Sequence, residues 1–370
     1  MRIVRIALNG FRNYEWETVE LAPGTNVISG QNAQGKTNLL ESVYMLSTGR
    51  SFRTRFDKEL VGFGFSSAEI LADVISHERE QTINIALRPG QTKKISVNGV
   101  KKTASELSET VNTVLFCPDD LNLIKEGAAV RRRLMDNAIS QIRPRYAGYL
   151  AEFNRLYEHK TRILKDWHEK PSLLETLDEF SDGMCRASAQ LIRYRAAFAA
   201  RLGKAAGPIH GEFSGEGERL ELSYKTVSTV KDPFASVKEI YYDVCEHQER
   251  HRQAELDAQQ CLTGAHKDDL EIFINGTAAR SFASQGQTRS LSLAMKLAEG
   301  EIAGESGGEY PVFLLDDLLG ELDAERRARL LALIGGRQAL ITCCDQNAFG
   351  EHTDAVVWHV SDGVFQKDRP

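Results

Sequence analysis

No apolar run in this 370-residue chain approaches the ~20 residues that cross a bilayer, so a membrane-spanning helix is not expected. Met1-Arg2-Ile3-Val4-Arg5 opens a charged, alternating strand, which is not the pattern of a secretory signal. The six cysteines, at 117, 185, 245, 261, 343 and 344, contain no C-x-x-C spacing. A zinc site is therefore disfavoured, and vicinal Cys343-Cys344 reads as two reduced core thiols. These absences lead us to expect a cytoplasmic protein with no membrane attachment.

The chain also lacks internal repeats and a low-complexity tail. Without sustained heptads, a long coiled-coil arm is disfavoured. Positive charge is not in excess, because the net charge is −6. That excludes a protein coated in positive charge but not nucleic acid, since binding depends on where charge sits. From Arg131 to Lys204 there are 15 Lys/Arg against 9 Asp/Glu, a local excess of six. With 42% hydrophobic and 26% charged residues, the composition is that of a globular protein with room for two cores.

The first part reads as β-rich. Arg2–Leu8, Trp16–Leu21 and Thr25–Ser29 alternate or run apolar as strands do. The third feeds a Gly-rich loop, after which Leu39, Leu40, Val43, Tyr44 and Leu46 recur at helical spacing. Strands are expected at Glu69–Ile75 and Thr82–Leu87, then a hairpin turning at Asn98-Gly99, then a strand at Val111–Phe116. From about Asp119 to Lys204 the pattern is long amphipathic helix, broken near Pro144 and Pro171. A Gly-rich break is expected next, at Gly203, Gly207, Pro208, Gly211, Gly215 and Gly217. A strand at Leu220–Tyr224 and a charged helix from about Val237 to Gln259 follow. Strands resume at Leu270–Asn275. Then come a helix after Gln285, an apolar strand ending at Asp316-Asp317, a helix near Ala324–Ile334 and three closing strands. We therefore expect an α/β head in two segments, 1–116 and 262–370, interrupted by a mostly helical lobe, 117–261.

The chemistry sits in that head. Gly30-Gln31-Asn32-Ala33-Gln34-Gly35-Lys36-Thr37 matches the phosphate-binding pattern G-x-x-x-x-G-K-[ST] in its required strand–loop–helix context. Gly30 and Gly35 let backbone N–H groups face phosphate oxygens, and the following helix points its positive end at the same anion. Lys36 is expected to reach the β- and γ-phosphates of a nucleoside triphosphate, and the Thr37 hydroxyl to ligand Mg²⁺. Asp316 ends a buried apolar strand, where an unpaired carboxylate is costly; a Mg²⁺ shared with Thr37 resolves that cost. Asp317 would point the other way on a strand and could orient or deprotonate the attacking water. Ser284-Gln285-Gly286-Gln287 precedes a helix, where Ser is a natural N-cap. His266, in Gly264-Ala265-His266-Lys267-Asp268-Asp269-Leu270, has no partner ligands at metal spacing and reads as part of a contact element near the head. The basic residues of 131–204, interleaved with Tyr146, Tyr149, Tyr157 and Tyr194, read equally as a DNA path or as solvated helix faces.

Taken together, these motifs resemble the RecF recombination mediators. The resemblance rests on Leu8-Asn9-Gly10-Phe11-Arg12-Asn13-Tyr14, the phosphate loop with Asn38-Leu39-Leu40-Glu41, and Leu115-Phe116-Cys117-Pro118-Asp119-Asp120-Leu121. It rests also on Arg131-Arg132-Arg133 with Asp136, Gly264–Leu270, Ser284–Gln287 and Leu314-Leu315-Asp316-Asp317 with Glu321-Leu322-Asp323. It implies an ABC/SMC-like ATPase head with a helical inserted lobe. It implies ATP-dependent dimerisation, binding to gapped duplex and single-strand/double-strand junctions, and assistance to RecR, with RecO, in loading RecA. It also implies that Arg12, Asn13, Asn32 and Asn38 lie near the nucleotide. Ser284, Gly286 and Gln287, like the Ser-x-Gly-Gln signature of ABC ATPases, would grip the nucleotide of a second copy.

Three features depart from the pattern. Asp317 stands where related heads often have Glu, and its shorter reach suggests slow hydrolysis. No switch histidine is evident, and Thr342 occupies its expected position. Ala265 and Lys267 replace the Pro and Arg common in the Gly-Pro-His-Arg-Asp-Asp element, Lys keeping the charge without the bidentate geometry. The alternative is the ATPase subunit of a membrane transporter, which shares the nucleotide motifs. Against it, the phosphate loop and the carboxylate strand are separated here by a large helical insertion.

Overall fold

Buried apolar positions alternate along the first strand, Arg2–Phe11 (β1), with one interruption. Its register against Ala68–Ser76 shifts between Ile3 and Arg5, so the inward residues run Ile3, Ile6 and Leu8. The computed structural model that shows this describes residues 1–214, 217–344 and 355–367. After β1 come β2 (Tyr14–Glu20), β3 (Thr25–Ser29) and α1 (Lys36–Thr48), then β4 (Ala68–Ser76), β5 (Arg79–Leu87), β6 (Lys94–Val97), β7 (Val100–Lys101) and β8 (Thr113–Phe116). The middle of the chain forms α2 (Ala128–Ile142), α3 (Pro144–Asp166), α4 (Leu174–Ser214), β9 (Leu220–Lys225) and α5 (Val237–Ala258). Then follow β10 (Asp269–Ile274), β11 (Thr277–Ala278), α6 (Ala279–Phe282) and α7 (Gln285–Gly307). The chain ends with β12 (Val312–Leu315), α8 (Ala324–Ile334), β13 (Ala339–Cys343), β14 (Val356–Ser361) and β15 (Val364–Lys367).

Two compact units result. The first comprises Met1–Asn122, Glu212–Gly215 and Arg289–Pro370. It holds an antiparallel sheet of order β2-β1-β4-β5-β6-β7 and a second sheet of order β15-β14-β3-β13-β12-β8. In the second sheet all pairs are parallel except β14 with β15. Its strands β8, β12 and β13 are buried at every residue, as a parallel sheet covered on both faces requires. Strand β13 lies between β3, which feeds the phosphate loop, and β12, which ends at Asp316.

The second unit comprises Leu123–Gly211 and Glu216–Thr288. It holds helices α2 to α6 and the three-stranded sheet β11-β10-β9. The expected boundaries at 116/117 and 261/262 are thus displaced to Asn122/Leu123 and Thr288/Arg289. The reason is pairing: β10 joins β9 along its whole length, from Asp269 opposite Lys225 to Ile274 opposite Leu220.

The Gly-rich break does not form where it was expected. Helix α4 runs to Ser214, through Gly203, Gly207, Pro208 and Gly211; Gly215 lies outside the described residues. Leu202, Ala206 and His210 keep a buried face at helical spacing. At Gly203 the Leu222 side chain of β9 approaches to 3.5 Å of the position a Cβ would take. Burial of this face overrides the weak helix propensity of glycine.

Three of the basic residues of 131–204 are buried and paired. Arg131 donates two hydrogen bonds to the Asp269 carboxylate, at 2.7 and 2.9 Å. Arg195 donates to both oxygens of Asp136 at 2.9 and 3.0 Å, to Asp268 at 2.7 Å and to the Ala265 carbonyl at 2.6 Å. Tyr224 adds a hydroxyl to Asp268 at 2.5 Å. Lys160 pairs with Glu255 at 2.7 Å, both fully enclosed. Arg133, Arg143, Arg145, Arg155, Arg162, Lys165 and Lys204 remain exposed. His266 lies inside the second unit, 4.7 Å from the Tyr157 ring, with Nε2 against the Cys261 carbonyl at 3.1 Å. Burial pulls its pKa down to about 4, so the ring is neutral at pH 7.

Removing one member of a buried charge cluster strands the others. Arg195→Met is expected to destabilise the second unit by about 3–5 kcal/mol. Urea denaturation followed by tyrosine fluorescence checks this, and an unchanged midpoint would show that Asp136 and Asp268 do not depend on Arg195.

Candidate nucleotide site

The phosphate loop is shaped by its glycines and by what crowds them. Gly30 has φ +155°, and a Cβ there would meet the Val360 carbonyl oxygen at 2.4 Å. Gly35 has φ +116°, and a Cβ there would meet the Asn13 amide and the Tyr14 hydroxyl at 2.8 and 2.9 Å. Neither position tolerates a side chain. Tyr14, its hydroxyl pKa raised by burial, donates to the Gly35 carbonyl at 2.7 Å. The turn between β14 and β15 holds the loop from the other side, with Asp362 N donating to Gln34 Oε1 at 2.5 Å and Gly363 N to the Gln34 carbonyl at 3.2 Å. Helix α1 starts at Lys36 with no side-chain cap and no acid in its first turn. Its N-terminal N–H groups and positive dipole end are therefore left for an anion.

Lys36 is almost enclosed, and its ammonium donates to the carbonyls of Gly30 at 2.5 Å and Gln31 at 2.9 Å. The Thr37 hydroxyl donates to Asp316 Oδ1 at 2.8 Å. Thr342, on the intervening strand β13, donates to the same oxygen at 3.0 Å and accepts from Asp317 N at 2.8 Å. Burial pushes the Asp316 carboxyl above its ordinary value of 3.8, while the two hydroxyls oppose that shift. Asp317 is exposed and sits in the left-handed region at φ +50°, so it turns off the strand line. An oxygen pair of this kind, a buried carboxylate beside a threonine hydroxyl under an uncapped helix start, fits Mg²⁺ and a polyphosphate.

The neighbouring residues predicted from resemblance take specific places. Arg12, at φ +57°, grips the buried Glu41 carboxylate with two hydrogen bonds, at 2.7 and 2.8 Å, and reaches the Glu59 carbonyl at 2.9 Å. Asn13 donates to the Gln34 carbonyl at 3.1 Å and accepts from Asn38 at 2.8 Å. Asn32 Oδ1 accepts from the Cys344 thiol at 2.9 Å. Ser284, Gly286 and Gln287 belong to the second unit. There Ser284 and Gln287 form a reciprocal cap, Gln287 N donating to the Ser284 hydroxyl at 3.2 Å and Ser284 N to the side-chain oxygen Oε1 of Gln287 at 2.8 Å. In the first unit, Asp323 caps α8 by accepting from Arg326 N at 2.9 Å.

Two residues here were given no role at the nucleotide by the sequence reading. Glu41, one turn beyond Thr37 on α1, is the hub for Arg12, Ser51 and Arg53. Cys344 was read with Cys343 as a core thiol. The structure buries Cys343 but exposes Cys344, 3.7 Å from the Lys36 ammonium and from an Asp317 oxygen. Cys344 lies one residue past the end of β13, where the chain leaves the buried sheet.

The model of the family described as RecF/RecN/SMC N terminal domain matches residues 2–365. The chain belongs to the RecF family. It is 36% identical to the DNA replication and repair protein RecF of Acetivibrio thermocellus over 350 residues, covering 94% of this chain and 95% of that one. The RecF protein of Listeria innocua is 37% identical, with 99% of this chain and all of that one covered. Among solved structures, the recombination mediator protein RecF with ATPrS, in the RecFOR pathway, matches at TM-score 0.92 and 31% identity over 100% of this chain and 98% of that one. The same mediator with ATP matches at 0.89 and 32%, covering 99% and 97%. An Smc head bound to a domain of ScpA matches at 0.56 and 16%, covering 100% and 98%, a likeness of fold alone. The fold is thus that of an ABC/SMC-like ATPase head with a helical lobe and, among the described residues, no long coiled coil. No helix of the described residues is long and apolar enough to cross a membrane.

A carboxyl whose pKa is raised by folding destabilises the fold once pH exceeds its unfolded value. Asp316→Asn is therefore expected to raise the thermal midpoint at pH 7 in chelator without nucleotide. The gain should shrink as pH falls toward 4, and Mg²⁺-dependent nucleotide affinity should be lost. A calorimetric pH series showing no gain at pH 7 would contradict the burial penalty.

Proposed function

We propose that this protein is an ATP-dependent DNA clamp of recombinational repair. The observation that carries the reading is the 2.8 Å approach of Thr37 to Asp316 across β13, in a chain alike along its whole length to RecF proteins. ATP and Mg²⁺ bind at Gly30, Asn32, Gly35, Lys36, Thr37 and Asn38. Thr37 and Asp316 would hold the metal, which would supply charge neutralisation at the phosphates. Arg12 and Asn13 brace the loop and α1. Ser284, Gly286 and Gln287 of a second copy close over the nucleotide, making the dimer conditional on ATP.

The dimer holds gapped or junction DNA chiefly by its phosphates, with little base readout in the duplex. In this state it works with RecR and RecO to load RecA. Asp317 takes a proton from the water that attacks the terminal phosphate, and Lys36 stabilises the charge that develops on it. The short Asp317 side chain makes this step slow, so hydrolysis acts as a timer that resets a switch.

Linkage sets the size of the effect: a ligand that binds only the dimer stabilises it by ~2.7 kcal/mol at a hundredfold excess over its dissociation constant. Light scattering on a gapped duplex, with ATP, ADP or no nucleotide at several salt concentrations, tests the reading. The wild type is expected to form ATP-specific dimers whose DNA affinity falls steeply with salt. Lys36→Ala is expected to remain monomeric with ATP. Nucleotide binding without DNA affinity under every condition would sink the clamp.

A further inference from the structure

The segment between α1 and β4 displays side chains that the nucleotide chemistry leaves unused. Phe63 is fully exposed, at 105% of its reference area, with Phe56 at 61% and Phe65 at 40%. Large apolar rings gathered on one surface segment mark an interaction site. The same segment presents Arg50, Arg53, Arg55 and Lys58 to solvent. The Lys58 ammonium stands 5.8 Å over the Phe56 ring. Its two acids are engaged, Asp57 with Lys93 at 2.9 Å and Glu59 with the Thr54 hydroxyl. With four cations against two acids, the segment carries a local excess of positive charge on a chain of net charge −6.

The rings are shown on an anchored scaffold. Arg12 N donates to the Leu60 carbonyl and Gly62 N to the Gly10 carbonyl, both at 2.8 Å. Arg12 Nη1 reaches the Glu59 carbonyl at 2.9 Å, Ser51 bonds Glu41, and Arg53 donates to Asn38 Oδ1 at 2.7 Å. Two of these anchors, Asn38 and Glu41, are on α1, which starts at the phosphate loop. The segment thus enters binding already ordered, and little entropy is lost there.

Cations interleaved with open ring faces fit one ligand chemistry well: a polyanion with exposed aromatic faces. Unpaired nucleotides offer both, whereas a duplex hides its base faces in the stack. Protein interfaces are depleted in lysine, whereas here Lys58 stands over the Phe56 ring. We propose that Arg50–Phe65 reads the single-stranded side of a gap or junction. Phe56 and Phe63 stack on unpaired bases, and Arg50, Arg55 and Lys58 hold the flanking phosphates. The proposal rests on the clamp reading and adds the residues that recognise the unpaired strand.

The test compares affinity, in ATP and Mg²⁺, for a gapped duplex and for a fully paired duplex of equal length. A 2-aminopurine in the gap, beside the junction, reports stacking. The wild type is expected to prefer the gapped DNA and to quench the probe. Phe56→Ala with Phe63→Ala is expected to lose that preference by about tenfold and to leave the probe unquenched. Its affinity for paired duplex and for ATP should not change, which also shows that it is folded. Arg55→Glu with Lys58→Glu should weaken binding to both DNAs and flatten the salt dependence. If the phenylalanine variant keeps the wild-type preference, this inference is overturned and the clamp stands. If it loses ATP-driven dimerisation but keeps the preference, the patch is a protein interface and the inference fails. A wild type that binds neither DNA overturns both.

Discussion

The Thr37 hydroxyl and the Asp316 carboxylate meet because β13 pairs in parallel with β3 on one side and with β12 on the other. That arrangement sets the ends of three strands side by side at one edge of the sheet. Ile28 lies opposite Thr342, and Leu315 opposite Ile341, so the loop, the hydroxyl and the carboxylate emerge at nearly the same level. Thr342 then serves both aspartates at once, accepting from Asp317 N while donating to Asp316. A one-residue slip in either pairing would turn the side chains of a whole strand to the opposite face. A small hydroxyl residue thus bonds the strand ends, and the exposed Cys344 lies two residues on, beside Asp317.

Around this edge the chain uses charge in two ways. In the second unit, buried pairs consume Arg131, Arg195 and Lys160, and the motif blocks at 131–136 and 264–270 turn out to bind each other. Such pairs offer little net stability but penalise any arrangement that leaves one member unpartnered. In the first unit, Glu41 collects Arg12, Arg53 and Ser51. That ties the first helix to a cationic, ring-bearing surface segment.

Much of this architecture is legible in local pattern. Thr25–Ser29 and Ala324–Ile334 form over the residues that periodicity indicates, because each has an unambiguous period and a clear start or stop. The loop motif is legible because its glycines and lysine answer to one chemistry at fixed spacing. Less legible was α4: Gly203, Gly207, Pro208 and Gly211 signal a break, yet a buried face carries the helix through them. The fate of each basic residue was also hidden, since an arginine at a helix surface and one paired inside look alike in a string of letters.

Composition, period and motif spacing therefore suffice for the class of fold and for the presence of a nucleotide loop, since these depend on interactions within a few residues of one another. Which arginine is buried, which of two neighbouring cysteines faces the site, and where one compact unit gives way to the next depend on pairings made across tens to hundreds of residues. Arg195 meets Asp268 and Cys344 meets Asn32 because sheets and helices elsewhere have already set their positions. A side chain's partner at such separation is fixed by packing and strand register, which no local stretch of sequence encodes.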